Sequence, residues 1–128
     1  MMVNECRPRI AYYPYMPNAY IRFLNLIDAL DRMNPGRKLD ATEEQLLNRF
    51  TLAGAKGAKL LVGDLISLSE LGSQATLHGR IKNLVVMGYI KLVEDKKDGR
   101  KKFVMPTAKA IKHYEQLSAC IEKVLKET

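Results

Sequence analysis

Cationic side chains concentrate in one stretch of the sequence, between Ser73 and Lys102. This stretch contains eight lysines and arginines against three aspartates and glutamates, a net charge of +5 out of the +7 of the 128-residue chain. A localised positive surface attracts polyanions, and nucleic acid is the first partner to consider. Taken alone, such a charge run is more typical of a solvated hairpin with solubilising lysines, so its meaning depends on the elements that carry it.

Several side chains in this stretch have the donors and the reach to contact DNA. Hydroxyls and N–H groups at a helix N-terminus hold a phosphate, and arginine in a turn favours the narrow minor groove of A·T-rich DNA. The predicted DNA-binding residues are Ser73, Gln74, Thr76, His78, Arg80, Lys82, Asn83, Lys96, Lys97, Arg100 and Lys101. Those with the reach to touch bases are Gln74, His78, Lys82 and Asn83. Arg80 lies on a flank, where an acidic partner or a phosphate would anchor it.

Apolar spacing predicts the elements that carry these side chains. Leu77, Ile81, Leu84 and Gly88 recur at helical intervals behind Ser73, a natural N-cap, which predicts a helix over residues 73–88. Two short strand-like runs follow, at residues 89–93 and 102–105, and the Asp98-Gly99 pair between them is typical of a hairpin turn. A helix that leads directly into a basic hairpin predicts a winged helix-turn-helix.

The outward face of the predicted helix is small and only partly polar. At 100° per residue, the side opposite the apolar stripe carries Ala75, Gly79, Lys82, Asn83 and Val86. Such a face fits a major groove, which admits one helix, and its small residues would let the backbone approach the base edges. Gly79 costs the helix about 1 kcal/mol relative to alanine, which suggests a use, although the glycine could also be merely tolerated. An exposed valine argues against a purely polar reading face.

Further elements are predicted on both sides of this region, among them a short strand at residues 59–61 and a short helix over residues 64–69. Apolar periodicity predicts helices over residues 17–34 and 107–126, and overlapping capping boxes, Asp40 with Glu43 and Thr42 with Gln45, open a helix at about residue 42. The last helix would be about 28 Å long, more than a compact three-helix head covers. We therefore expect the two terminal helices to form a twofold dimer. The predicted interface consists of Tyr20, Phe23, Leu24, Ile27, Tyr114, Ile121 and Leu125.

Size and composition predict one domain. Residues 17–128 are expected to form a single winged-helix domain with its core at 42–105, behind an arm, residues 1–16, that is flexible or packs on a partner. Cys6, Cys120 and the two histidines show no metal-ligand spacing, so no metal and no cofactor is expected. No apolar run suits a membrane span or a secretory signal, and a cytoplasmic protein is the expectation.

The motif order resembles the MarR-type winged-helix transcriptional regulators over about residues 17–125. The turn Asp95-x-x-Asp98-x-Arg100 is similar to that family's wing signature, and Pro106-Thr-Ala-Lys-Ala to the entry of its last helices. The resemblance implies that Arg100 enters the minor groove and that Asp98 braces the wing against the recognition helix, with Arg80 as its partner. Three departures are a longer turn at 70–72, Gly79 where a basic residue is common, and a short C-terminal region, which leaves a small-molecule effector unsupported.

The residues and the resemblance together predict a mainly α (α+β) winged helix-turn-helix with terminal dimerisation helices and a two-stranded wing. The function predicted is sequence-specific binding of double-stranded DNA by a homodimeric transcriptional regulator, a repressor that reads a pseudo-palindrome. The alternative is a winged-helix module that binds protein or assembles a replication complex. An enzyme is the weakest hypothesis, because no nucleophile is spaced with a base.

Overall fold

The computed structural model describes residues 18–34 and 36–127, and the predicted arm with Cys6 lies outside them. Five helices and one hairpin follow in chain order: α1 (Asn18–Met33), α2 (Ala41–Ala55), α3 (Val62–Ile66), α4 (Gln74–Val86), β1 (Ile90–Glu94), β2 (Lys102–Pro106) and α5 (Ala108–Glu127). A mainly α winged helix-turn-helix with a two-stranded wing is therefore confirmed.

The described chain divides into two compact units. Residues 36–115 form the winged-helix unit, and residues 18–34 with 116–127 form the helical unit, so that α5 contributes to both. The predicted helix-turn-helix core, residues 42–105, falls within the winged-helix unit. Among the described residues no helix combines the length and the apolar character that a membrane crossing requires.

The core of the winged-helix unit is built from the predicted faces of its helices. The buried apolar residues come from α2, α3, α4 and both strands: Leu46, Leu47, Phe50, Leu65, Leu77, Ile81, Leu84, Ile90 and Val104. Full burial of such a side chain contributes about 1.5–3 kcal/mol. The predicted inward stripe of α4 is thus confirmed, and it fixes which face of α4 remains in water.

Local capping decides where the helices begin. Asp40 and Glu43 form a reciprocal capping box at the start of α2, the Ser73 hydroxyl accepts the Thr76 N–H at 3.2 Å, and the Thr107 hydroxyl accepts the Ala110 N–H at 3.2 Å. These three starts match the predictions. The second predicted capping box, Thr42 with Gln45, is wrong, because Asp40 already caps α2 and residue 42 lies inside the helix.

The wing is a two-stranded antiparallel hairpin. Ile90 lies opposite Pro106 at one end of the hairpin, and Glu94 lies opposite Lys102 at the other. Three of the four strand ends lie one residue later in the chain than predicted. The segment before α3 was expected to add a short third strand. It contributes a single bridge, Leu61 to Phe103, with the Val104 N–H donating to the Leu60 carbonyl at 2.9 Å.

The helical unit exposes much of its apolar surface. Helix α1 has no buried residue: Leu24 is 44% exposed, and Phe23 and Ile27 are half-buried. In the last part of α5, Ile121 is 48% exposed while Val124 is buried. Exposed apolar side chains at helical spacing agree with the predicted interface, which itself stays a prediction.

Tyr114 is the exception among the predicted interface residues. It lies in the winged-helix unit, packs against that unit's core, and donates its hydroxyl to Asn48 Oδ1 at 2.6 Å. Partial burial raises the pKa of the Tyr114 phenol. Its side chain therefore fastens the start of α5 onto α2, and its place in a dimer interface stays a prediction.

Candidate nucleic-acid interface

Helix α4 presents an open face opposite its buried stripe. The exposed residues of this face are Gln74, Ala75, Thr76, His78, Gly79, Lys82 and Val86. No acidic residue occurs in α4. At Gly79 a Cβ atom would meet nothing within 4 Å, so no contact inside the molecule requires a glycine there. Val86 is 85% exposed, which makes it the most apolar feature of this face. The open face is therefore neutral to cationic and has room for a ligand to approach the helix backbone.

The N-terminus of α4 carries the predicted hydroxyl cluster. Ser73 and Thr76 are exposed, and the Ser73 hydroxyl lies 3.0 Å from that of Thr76 while it accepts the Thr76 N–H. The first N–H groups of any helix lack intrahelical partners and point outward with the positive end of the helix dipole. This end of α4 is therefore suited to a phosphate oxygen.

Arg80 is anchored by an acidic residue, as predicted, but by a different one from that implied by the family resemblance. Its Nε lies 3.0 Å from Asp40 Oδ2, the carboxylate that also caps α2. Asp98, the partner that the resemblance suggested, makes its hydrogen bonds elsewhere. The two side chains of this pair are each somewhat more than a third exposed, so Arg80 remains accessible from solvent.

Asn83 faces α2 and is only partly accessible. Its amide Nδ2 donates to Glu43 Oε2 at 2.9 Å. The prediction that Asn83 reads bases stays a prediction: the helical wheel places it near the outward face, and in the structure its amide is held by a carboxylate on the neighbouring helix. The residues Arg37, Asp40, Glu43, Arg80 and Asn83 are called here the Glu43 cluster.

Glu43 is the centre of this cluster and its side chain is fully buried. Oε1 accepts hydrogen bonds from Arg37 Nη1 at 2.9 Å and the Asp40 N–H at 3.0 Å. Oε2 accepts from Arg37 Nη2 at 2.9 Å and from the Asn83 amide. The guanidinium of Arg37 lowers the pKa of Glu43 to about 2, with help from the Asp40 N–H and the Asn83 amide and against the effect of burial.

The sequence pattern predicts only a capping role for Glu43, in the box with Asp40. A signal for its burial was available, because Glu43 precedes Leu46 and Leu47 by three and four residues and therefore shares their face of α2. Its partners Arg37 and Asn83 could not be inferred from local spacing, since the second is forty residues away.

The wing turn is fixed by its own carboxylates. Asp98 Oδ1 accepts from the Arg100 N–H at 3.1 Å and from Arg100 Nε at 3.2 Å, and Asp95 Oδ1 accepts from the Lys97 N–H at 3.0 Å. The bonds from Arg100 hold the pKa of Asp98 below its ordinary value. The Arg100 side chain is nevertheless 92% exposed. Asp98 therefore orders the wing turn; the expected brace between wing and recognition helix is not among its contacts in the described chain.

All four predicted wing cations are exposed: Lys96, Lys97, Arg100 and Lys101. Among the described residues, the only ion pair within the wing at 4.0 Å or less joins Arg100 to Asp98. This pair is weak because the Arg100 side chain is exposed to solvent. These cations can therefore approach a polyanion without losing a buried partner.

Three residues, Met87 to Tyr89, form the joint between α4 and the wing. Gly88 adopts a φ of +86°, a left-handed conformation that favours glycine and ends the helix. The first turn of α5 holds this joint: Thr107 Oγ1 donates to the Gly88 carbonyl at 2.6 Å, and Lys109 Nζ donates to the Met87 carbonyl at 2.6 Å while it lies 4.5 Å from the Tyr89 ring centre. The spacing between α4 and β1 is thus set by short, well-anchored backbone.

Metal-ligand geometry is absent from the part of the chain that is described, where no three His, Cys, Asp or Glu side chains gather into a possible site. Cys120 is a free, partly buried thiol.

Comparison with solved structures shows that transcriptional regulators share this fold. The regulator Tm0710 from Thermotoga maritima matches with a TM-score of 0.63 at 18% identity, over 86% of this chain and 71% of that chain. A mutant of S. aureus MepR, solved bound to an oligodeoxyribonucleotide, matches with a TM-score of 0.60 at 16% identity, over 86% of this chain and 72% of that one. PefR from Streptococcus agalactiae, a heme sensor protein solved with heme, matches with a TM-score of 0.57 at 20% identity, over 84% and 73%.

These likenesses concern the fold. The resemblance to MarR-type regulators that the motifs indicated is confirmed at that level. No protein-family model matches the sequence, and no curated protein sequence matches it significantly.

Proposed function

We propose that this chain is a transcriptional regulator that binds double-stranded DNA sequence-specifically as a homodimer, and that it acts as a repressor at a pseudo-palindromic site. The observation that carries the proposal is the open, acid-free face of α4, which is followed after three residues by a wing with four exposed cations. A major groove admits one helix. In this arrangement α4 lies in the major groove and the wing contacts backbone or minor groove.

The contacts divide into two kinds. The hydroxyl end of α4, with Ser73 and Thr76, holds a phosphate, and Gln74, His78 and Lys82 reach the base edges. On the wing, Arg100 enters the minor groove while the exposed lysines contact phosphates. Support for DNA as the partner also comes from the MepR structure, which was solved with an oligodeoxyribonucleotide.

Dimerisation would use the exposed apolar side chains of the terminal helices. Tyr20 and Leu24 on α1, and Ile121 and Leu125 on α5, expose about half of their surface or more. A twofold dimer places two recognition helices about 34 Å apart, one turn of B-DNA, which explains why a pseudo-palindrome is the expected site.

A salt titration tests the proposal. Duplexes selected from a random pool by the wild-type protein are bound at several salt concentrations, and affinity is measured by gel shift. About six phosphate contacts predict a log–log slope near −5. The double variant Arg100→Ala, Lys97→Ala should lose at least tenfold in affinity and make the slope shallower by about 2.

The control is a second double variant that removes the same charge elsewhere. Lys112 and Lys123 are exposed on α5, away from α4 and the wing in sequence, and Lys112→Ala with Lys123→Ala should leave both affinity and slope near the wild-type values. An affinity that does not respond to salt, or an equal loss in both double variants, would contradict the proposed use of the wing.

Val86 favours a second candidate function, a winged-helix module that binds protein. A valine that is 85% exposed on the open face of α4 suits an apolar contact better than a phosphate. If this reading is correct, the wing double variant keeps its partner and the wild-type protein selects no duplex from the random pool.

A further inference from the structure

Glu43 presents an energetic problem that the core does not explain. It is the only charged residue that is buried among those described, and burial of a carboxylate is costly unless it is paired and hydrogen-bonded. Each of its oxygens accepts two hydrogen bonds, so the cost is met. Apolar side chains in place of a buried ion pair such as Glu43 with Arg37 often serve stability as well or better. Unlike an apolar residue, the carboxylate forms hydrogen bonds, which favour one orientation of the groups that they join.

These hydrogen bonds orient α4. Two α4 residues three positions apart, Arg80 and Asn83, lie on the same flank of the helix. They contact two residues that are also three apart at the start of α2: Arg80 pairs with Asp40 at 3.0 Å, and Asn83 bonds to Glu43 at 2.9 Å. Apolar packing selects the buried face of a helix, but it is non-directional and fixes the rotation about the helix axis less sharply than hydrogen bonds do. A two-point polar attachment on one flank resists that rotation.

The rotation of α4 matters because its open face is the candidate reading face. A rotation of about 20° moves side-chain atoms at a radius of roughly 5 Å by about 2 Å. An N–H···O hydrogen bond tolerates much less displacement, because it forms only while the donor and acceptor atoms lie about 2.7–3.2 Å apart. Contacts with base edges therefore need the rotation to be fixed, whereas contacts with phosphates tolerate more movement.

We propose that Glu43 is a positioning residue for base recognition: through the Asn83 amide it fixes the rotation of α4, and it thereby sets the specificity of DNA binding without touching DNA. This inference rests on the proposed function, since it assigns a role to a residue behind the same surface. Asp40 supports the same orientation through Arg80. Arg37 compensates the charge of Glu43, which lets the carboxylate remain buried.

The test compares affinity for two duplexes, one selected from a random pool by the wild-type protein and one with the same base composition in scrambled order. Glu43→Gln should lower the ratio of the two affinities at least tenfold. Binding to the scrambled duplex should stay constant or strengthen, because the variant removes a negative charge. A variant that merely unfolds would lose affinity for both duplexes by the same factor, so the ratio separates positioning from stability.

Glu44→Gln is the matched control. It removes the same charge from the neighbouring residue of the same helical turn, where the side chain is exposed, and the affinity ratio should not change. Glu43→Met provides a second variant in case Glu43→Gln does not fold, because the Arg37 side chain that it leaves without a carboxylate is about half exposed to water. It too should lower the ratio.

A double-mutant cycle shows whether Glu43 acts through Asn83. Asn83→Ala should lower the ratio as Glu43→Gln does, and the double variant should lose no more than one single variant, because both changes break the same bond. Additive losses would mean that Asn83 contacts bases independently, and they would overturn the inference. So would a folded Glu43 variant with the wild-type ratio. A wild-type protein with equal affinity for both duplexes would overturn the proposed function itself, and the inference with it.

Discussion

At the scale of the single residue, the buried carboxylate of Glu43 links stability to pH. Its pKa is about 2 in the folded chain, lowered mainly by Arg37, against an ordinary value of 4.5. A depressed pKa means that the folded state holds fewer protons than the unfolded state, so the stabilisation is present above about pH 4.5 and is lost as the pH falls towards 2.

Unfolding by urea at a series of pH values measures this linkage. The free energy of unfolding of the wild type minus that of Glu43→Gln should decrease by about 3 kcal/mol between pH 7 and pH 2. Other carboxylates titrate in both proteins and cancel in the difference. A difference that stays constant with pH would show that Glu43 does not titrate as its contacts require.

Gly79 gives a prediction with opposite signs for stability and binding. It lies in the interior of α4, and an added Cβ meets nothing within 4 Å. Gly79→Ala should therefore raise the free energy of unfolding by about 1 kcal/mol. In the proposed complex, however, the added methyl group on the open face separates the backbone from the base edges, so the affinity for a selected duplex should fall.

Gly54→Ala is the control for this experiment. Gly54 also lies in a helix, α2, and also has open space at its Cβ position. The substitution should also stabilise the protein, by less than at Gly79 because Gly54 lies in the last turn of α2, and it should leave DNA affinity unchanged. Stabilisation without loss of affinity at Gly79 would mean that the glycine is merely tolerated, the second of the two interpretations that the sequence allows.

Prediction of individual site residues succeeded where orientation follows from local periodicity. The exposed positions of Gln74, His78 and Lys82 agree with the outward face expected from the buried stripe of α4. Local periodicity does not reveal the hydrogen bond of Asn83, because its partner is a carboxylate forty residues away. Long-range polar partners of this kind have no local sequence signature.

At the scale of the secondary-structure element, boundaries were predictable where a side chain caps the backbone. Asp40, Ser73 and Thr107 each accept an N–H of the first helical turn, and each begins the helix expected from it. The short helix α3 was expected at residues 64–69 and occupies Val62–Ile66. Asp64, in the first turn of α3, sets the start of this helix, because its carboxylate accepts the N–H of Leu61, the residue that precedes the helix, at 2.9 Å.

The wing shows the same division between local and distant determinants. Its turn was predictable from Asp98 and Gly99, and the carboxylates of Asp95 and Asp98 do hold the turn in place. The bridge between Leu61 and Phe103 depends on how the segment before α3 passes the hairpin. The sequence pattern does not contain this information, so it predicts a short strand where the structure has a single bridge.

At the scale of the whole molecule, the apolar side chains of the terminal helices give the prediction of a dimer. Leu24 is 44% exposed on α1, so a charge at this position should leave the fold of the single chain intact. Leu24→Glu should convert a dimer into a monomer at micromolar concentration, because a charged residue buried in an interface lacks a partner. Light scattering coupled to size exclusion measures the mass directly.

Leu52→Glu is the matched control for dimerisation. Leu52 is exposed on α2, in the winged-helix unit, and is not one of the predicted interface residues. This variant should keep the mass of the wild type. A wild-type protein that is monomeric at the same concentration, or a dimer that survives Leu24→Glu, would exclude the predicted role of α1.

The joint between α4 and the wing has a consequence for how the molecule tolerates change. Thr107 and Lys109 grip the carbonyl groups of Gly88 and Met87, and Lys109 also covers the Tyr89 ring. No freely moving hinge therefore separates α4 from the wing, because several hydrogen bonds and the contact of Lys109 with the Tyr89 ring tie this joint to the start of α5. Thr107, which lies outside the candidate interface, therefore helps to set the distance between α4 and the wing.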